Sequence, residues 1–238
     1  MKNADSSYRS MLRSAPPLVV TLLVLSVVGM NLLANKSIDT GLDWLALDCG
    51  ILFSWLTFLS MDILTHTCGP KAATAVSITA LALNLMMALI FFIASRIPGV
   101  WGESFVEGSE EVLNTALNNT FGGTWFIILG SSVAFAASAV INNFLNYGIG
   151  RLLTRSSGFG AFALRSYVST FIGQFADNLI FALLVSQLFF GWTLLQCVTC
   201  AVTGAVLELL CEVVFSPLGY GIYNSIKKRG QSAEAYAQ

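Results

Sequence analysis

Acids and amides set inside long apolar runs are the residues of this sequence best placed to do chemistry. The densest group lies between Leu164 and Phe190. There Thr170, Gln174, Asp177 and Phe181 fall at i, i+4, i+7 and i+11, along one helix face, with Asn178 beside them. A carboxylate flanked by two amides accepts and donates several directed hydrogen bonds, which suits a ligand with a planar polar edge. The competing reading is interhelical hydrogen bonding, worth about 0.6 kcal/mol per contact in a membrane bundle. Asn142, Asn143 and Asn146 crowd a second run, Asn142 and Asn146 on one face. They read as a binding site, or as amides cheaply solvated near the end of their run. Glu208 and Glu212 also share a face at i, i+4. Paired carboxylates repel, which favours a proton, a cation or a cationic ligand between them. The alternative is a basic partner on a neighbouring helix. Asp62 and His66 repeat the spacing just before Gly69-Pro70-Lys71, where substrate or proton handling competes with capping or solvation. Asp48 reads as a solvated position, and Asn31 and Asn84 as lone amides bonding between helices.

The elements that carry these residues follow from composition. The chain has 238 residues, 55% of them hydrophobic and 11% charged, with a mean hydropathy of +0.74. Soluble domains run near a quarter charged, so a water-soluble domain and a disordered chain are both excluded. A net charge of −1 offers no basic field for nucleic acid. Charges and turn residues divide the apolar text into six blocks: Pro17–Leu33, Trp44–Met61, Ala72–Ala94, Thr124–Ile149, Leu164–Phe190 and Leu194–Pro217. Each reaches or approaches the roughly 17–25 residues a helix needs to cross hydrocarbon. The expectation is an all-α membrane protein: a single transmembrane domain over residues 1–238, with tails at 1–16 and 227–238 around a six-helix bundle at 17–226. With the N-terminus inside, the inner segments hold ten Lys and Arg: Lys2, Arg9, Arg13, Lys71, Arg151, Arg155, Arg165, Lys227, Lys228 and Arg229. The outer segments hold two, Lys36 and Arg96. Both termini are therefore expected in the cytoplasm. Between spans three and four, Phe105, Val112, Leu113, Ala116 and Leu117 recur at helical spacing against Glu107, Glu110 and Glu111. That pattern predicts a short amphipathic outer helix, read as a solvated segment, an interfacial element or a lid.

Other motifs carry little. Cys197-x-x-Cys200 has redox or metal spacing but lies in an apolar helix without a second pair. His66-x-Cys68 completes no zinc site. Asn35-Lys36-Ser37 and Asn118-Asn119-Thr120 match glycosylation acceptors, relevant only in a secretory membrane. No P-loop, HExxH or GxSxG occurs, so the chain is not expected to hydrolyse nucleotide through a P-loop; an intramembrane enzyme using Asp177, Glu208 or His66 is the competing reading, but no catalytic spacing supports it, and no cofactor or metal is expected.

From Thr120 onward the text resembles a known family. Thr120-Phe121-Gly122-Gly123-Thr124, a small-residue-rich span ending near Asn146, and the stretch Arg165 to Phe181 together resemble the vitamin uptake transporters, whose best-known members carry queuosine precursors. The fifth-span pattern of Arg, Ser-Thr, Gln, Asp and Phe corresponds to Arg165, Ser169, Thr170, Gln174, Asp177 and Phe181. Asp62, Thr65, Gly69, Pro217 and Tyr220 fit as well, over roughly residues 18–229. The resemblance implies a multi-pass cell-membrane importer of a 7-deazaguanine such as preQ0, preQ1 or queuine. Asp177 and Gln174 would hold its guanine-like edge, Asn143 and Asn146 would assist, and Phe175 or Trp55 would stack on the ring. The sequence departs from the family pattern at His66, where a Glu is usual, and at Asn143 and Asn146, where Gln and Asp are usual. Glu208 stands where a Lys is frequent. Loss of a Lys and gain of a Glu suits an amine-bearing ligand such as preQ1. The alternative is the substrate-binding membrane subunit of an ATP-driven vitamin uptake complex, with ATPase partner subunits or a homo-oligomer. Residues 18–33 lack the Ala-xxx-Ala ridge on which such partners dock, which favours independent action.

Overall fold

Proline and glycine punctuate the chain where its helices begin and end. The computed structural model describes residues 12, 15–45, 47–101, 108–123, 125–153 and 158–236, and of 189 and 229–236 the backbone alone. Lys2, Arg9, Arg13, Glu103, Phe105, Glu107, Thr124 and Arg155 lie outside the described residues, as does the side chain of Arg229.

Helix α1 (Pro17–Leu33) opens on a proline at its first turn, where the missing N–H costs nothing. A two-residue antiparallel pairing follows, β1 (Ser37–Ile38) with β2 (Leu47–Asp48). Helix α2 (Ile51–Cys68) ends at Gly69, whose φ of +85° is open to glycine, and Pro70 starts α3 (Pro70–Ala94). A single residue thus reverses the chain between two long helices. Helix α4 (Glu110–Gly123) leads past Thr124 into α5 (Trp125–Leu152). Helix α6 (Phe159–Phe181) continues through a π-helical segment, Ala182–Ser186, and a last turn, Gln187–Phe189. Helix α7 (Leu194–Tyr236) closes the chain with Pro217 in its interior.

Five helical stretches are long and apolar enough to cross a membrane: Ile51–Cys68, Pro70–Ala94, Glu110–Leu152, Phe159–Ser186 and Leu194–Lys228. Helix α1, apolar throughout, is shorter at 17 residues. Length and composition make this a multi-pass membrane protein. Every expected apolar block contains a helix, but the boundaries differ. The second was expected from Trp44 and begins at Ile51, because Asp48 Oδ1 accepts the Gly50 N–H at 2.7 Å and turns the chain out of β2. The sixth was expected to end at Pro217 and runs beyond it. The short amphipathic element is α4. Its Phe121 ring lies 4.9 Å from Phe91 and 5.1 Å from Trp101. Trp101 Nε1 donates to Asn118 Oδ1 at 2.6 Å, so the described part of α4 packs on Phe91 at the end of α3 and on Trp101.

Helix α2 is the axis of the bundle, packed against α1, α3, α5, α6 and α7. Its residues Thr57 to Thr65 are buried without a break. The outer surface is apolar instead: Leu18, Leu25, Leu52, Ile78, Val133 and Leu210 are all exposed. The interior holds serines, asparagines and the carboxyls of Asp62, Asp177, Glu208 and Glu212. With lipid as apolar as leucine, such an interior is held by close packing and interhelical hydrogen bonds.

Candidate functional site

The buried polar residues fall into three layers along α6. The first is a narrow pocket at the N-terminal end of α2, partly open to solvent, with a cavity volume of about 40 Å³. Helix α6 supplies Asp177, Asn178 and Phe181; α7 supplies Cys200, Gly204 and Glu208; α1 supplies Asn31, α2 Ser54 and α5 Ser131. Asp48 completes the wall from β2. Each acid is oriented by a neighbour. Ser138 Oγ donates to Asp177 Oδ1 at 2.7 Å, and Ser54 Oγ to Glu208 Oε1 at 2.6 Å. Ser131 donates to Asn31 Oδ1, whose amide nitrogen donates back to the Val27 carbonyl at 2.8 Å. Burial pushes the Asp48 carboxyl up to about 6, the Gly50 N–H pulling the other way. Two fully buried polar atoms of the wall, Asn178 Nδ2 and Glu208 Oε2, close no well-formed hydrogen bond, although the two side chains act on one another. The wall therefore offers carboxylate oxygens in excess of donors, with one aromatic ring, Phe181. Close approach of α7 to α6 is possible because residue 204 is glycine: a Cβ there would lie 2.6 Å from Asn178 Nδ2.

The second layer is closed. Asp62 of α2 accepts from Asn142 Nδ2 at 2.8 Å, from Thr170 Oγ1 at 3.3 Å, from Ser169 Oγ at 3.5 Å and from Ser166 Oγ. Glu212 of α7 faces the same carboxyl. Asn146 Nδ2 donates to Ser169 Oγ at 3.3 Å, while its carbonyl and side-chain oxygens accept from Arg165 at 3.2 and 3.0 Å. Asn143 ties α5 to α2 and α3, accepting from Thr65 at 3.2 Å and donating to Thr74 at 3.1 Å. Between the layers lies Gln174, fully buried, its amide oxygen and nitrogen both without partners. The third layer is a vestibule at the other end of α2, partly open to solvent, with a cavity volume of about 480 Å³. Arg165, His66, Tyr223 and Lys227 line it, and the His66 ring packs on Phe162 at 4.6 Å and Tyr223 at 5.5 Å.

A family model described as vitamin uptake transporter matches residues 48–222. The chain belongs to the vitamin uptake transporter family. No curated protein and no solved structure matches it. The matched segment begins at Asp48 and holds all four buried acids of the helices. It leaves out α1, and so Asn31, and the vestibule residues Tyr223 and Lys227.

For this vitamin uptake transporter the geometry redraws several expectations. Asp177, Asn178 and Glu208 share the Asp48 pocket; Asp62, Thr170, Asn142, Asn146 and Arg165 share the closed network; His66 and Asp62, on one face by spacing, belong to different layers. Glu208 and Glu212 are not a pair. One turn of helix sets them about 6 Å apart along the axis, so Glu208 meets Ser54 and Glu212 meets Asp62. The three asparagines of α5 are fully buried rather than solvated. Trp55 does not face the pocket: it stacks on Phe215 at 4.4 Å, and Phe181 rather than Phe175 lines the wall. Asp48 and Asn31 line the pocket, while Asn84 Nδ2 makes no interhelical bond. Sequence reasoning missed Ser54, Ser131, Ser138 and Ser166. Their one signal is that each sits in an apolar helix at the depth of an acid or amide on another.

Proposed function

We propose that the chain imports a small polar heterocycle across the cell membrane, with both termini in the cytoplasm and the Asp48 pocket facing out. A queuosine precursor, a 7-deazaguanine such as preQ0, preQ1 or queuine, is the substrate this reading favours. The observation that carries it is the acceptor-rich wall of the pocket: carboxylates of Asp48, Asp177 and Glu208 beside the Asn178 amide and the Phe181 ring. A guanine-like edge presents several N–H donors to such acceptors and one carbonyl to an amide donor. A planar ring offers an apolar face to Phe181. An aminomethyl group would meet Glu208 Oε2, on which the Asn178 amide acts without closing a well-formed hydrogen bond.

The test is calorimetric binding of preQ0, preQ1, queuine, guanine and a set of vitamins to the purified protein in detergent. A ligand at about 100-fold Kd stabilises the fold by about 2.7 kcal/mol, so thermal shift gives a second readout. Glu208→Gln should weaken preQ1 about ten- to a hundredfold more than preQ0, since a charge-assisted hydrogen bond is worth about 1.5–3 kcal/mol. Equal losses for both ligands would reject the amine assignment. A vitamin binding where no deazaguanine does would move the substrate and keep the importer.

A further inference from the structure

Asp62 and Glu212 together are short of one proton. Asn142, Ser166 and Thr170 donate to the two Asp62 oxygens, while the Ser169 proton is shared between Asp62 at 3.5 Å and the Ser166 carbonyl at 3.1 Å. A hydroxyl carries one proton, so Ser166 and Thr170 turn lone pairs toward anything else they touch. Glu212 of α7 lies near enough to Asp62, Ser166 and Thr170 to act on all three. It is completely buried, and neither of its carboxyl oxygens has a hydrogen-bond partner. A proton on Glu212 repairs this, because its O–H then donates to Asp62. Charge points the same way. Among the described residues Arg165 is the cation that acts on Asp62, and it balances one carboxylate, not two. Helix α1 carries no titratable residue, α3 only the exposed Lys71 at its first turn, and α5 faces the pair with the neutral amides of Asn142 and Asn146. His66, the next acid–base group on α2, is turned away onto Phe162 and Tyr223.

We propose that Asp62 and Glu212 form a proton-coupling site, which rests on the importer reading above. The pair takes up one proton from the Asp48 pocket by way of the layer that holds Gln174. It gives the proton up on the vestibule side: the Glu212 O–H bond breaks, the proton passes to vestibule water, and Arg165 meets the carboxylate left behind. Entry of substrate is thereby driven by the proton gradient.

Two measurements test this, the first independent of any ligand. Infrared difference spectra of the purified protein across a pH titration should show a buried protonated-carboxyl band that is absent from Glu212→Gln, whose amide still donates to Asp62. In Asp62→Asn, which removes the charged acceptor, that band should no longer titrate with the wild-type midpoint. Spectra unchanged by both substitutions would overturn the assignment. The second measurement is uptake of preQ0 into proteoliposomes. A gradient of about one pH unit supports about tenfold accumulation with one proton per substrate. In Glu212→Gln, accumulation should fall to the outside concentration while preQ0 exchange continues. Accumulation that follows a sodium gradient and ignores pH would overturn the proposal. Absence of any preQ0 uptake would reject the substrate reading, leaving the infrared band to decide the proton site.

Discussion

Asp177 is the residue on which the binding assignment rests, and its surroundings make the assignment sharp. Ser138 fixes one carboxyl oxygen at 2.7 Å and leaves the other toward the pocket. Asp177→Asn keeps the shape and removes the charge, so deazaguanine affinity should fall about ten- to a hundredfold in calorimetry, with the thermal midpoint of the empty protein nearly unchanged. Asp48 gives a pH signature. Its carboxyl moves from 3.8 to about 6 on folding. The folded state therefore keeps a proton that the unfolded chain releases. The resulting stabilisation is complete below the lower value and disappears as pH rises through the upper one. Thermal melts of the wild type should lose ground to Asp48→Asn between those two values; parallel curves would remove Asp48 from the buried wall. Residues such as Asp177, Gln174 and Asp62 were legible in the sequence because an acid or amide amid apolar neighbours is costly in a bilayer. Ser138 and Ser166 were not, since serine is a common packing residue in membrane helices and its importance depends on the phase of a second helix. The Glu212 partner was hidden for a plainer reason: Asp62 lies in α2, far away in the chain, whereas Glu208 lies one turn away and drew the comparison.

At the scale of elements, hydropathy located every helix and misjudged where some begin and end. Residues 44–50 are apolar enough to be absorbed into a span, yet the Asp48 side chain satisfies the Gly50 N–H and turns the chain. The π-helical stretch Ala182–Ser186, just past Phe181, left no mark in the text at all. Such segments arise from packing rather than propensity, and they recur at functional sites. The contact between α6 and α7 is the element-scale feature most open to test. Gly204→Ala places a methyl group against the Asn178 amide. Overpacking of this kind costs about 1–3 kcal/mol, and because its strain falls on a pocket residue, ligand affinity should drop by about tenfold or more. Unaltered affinity would show that Asn178 yields without consequence and takes no part in binding.

For the whole molecule, the ten-to-two bias of Lys and Arg supports an orientation in which the vestibule with Arg165 and Lys227 faces the cytoplasm. Both Lys36 and Lys71 are exposed and lie beyond opposite ends of α2. In an otherwise cysteine-free protein, Lys36→Cys should react with a membrane-impermeant thiol reagent added to intact cells, and Lys71→Cys only after lysis; the reverse pattern would invert the topology and the direction of import. What no linear reading displays is the stacking of three polar layers, because it depends on how six helices rotate against one another. One helix nevertheless runs through all of them. Arg165, Thr170, Gln174 and Asp177 hang from α6 like cams on a single shaft. A turn or slide of that shaft would reach both mouths of the molecule at the same instant, so opening one and closing the other would be a single movement rather than two events that must be kept in step.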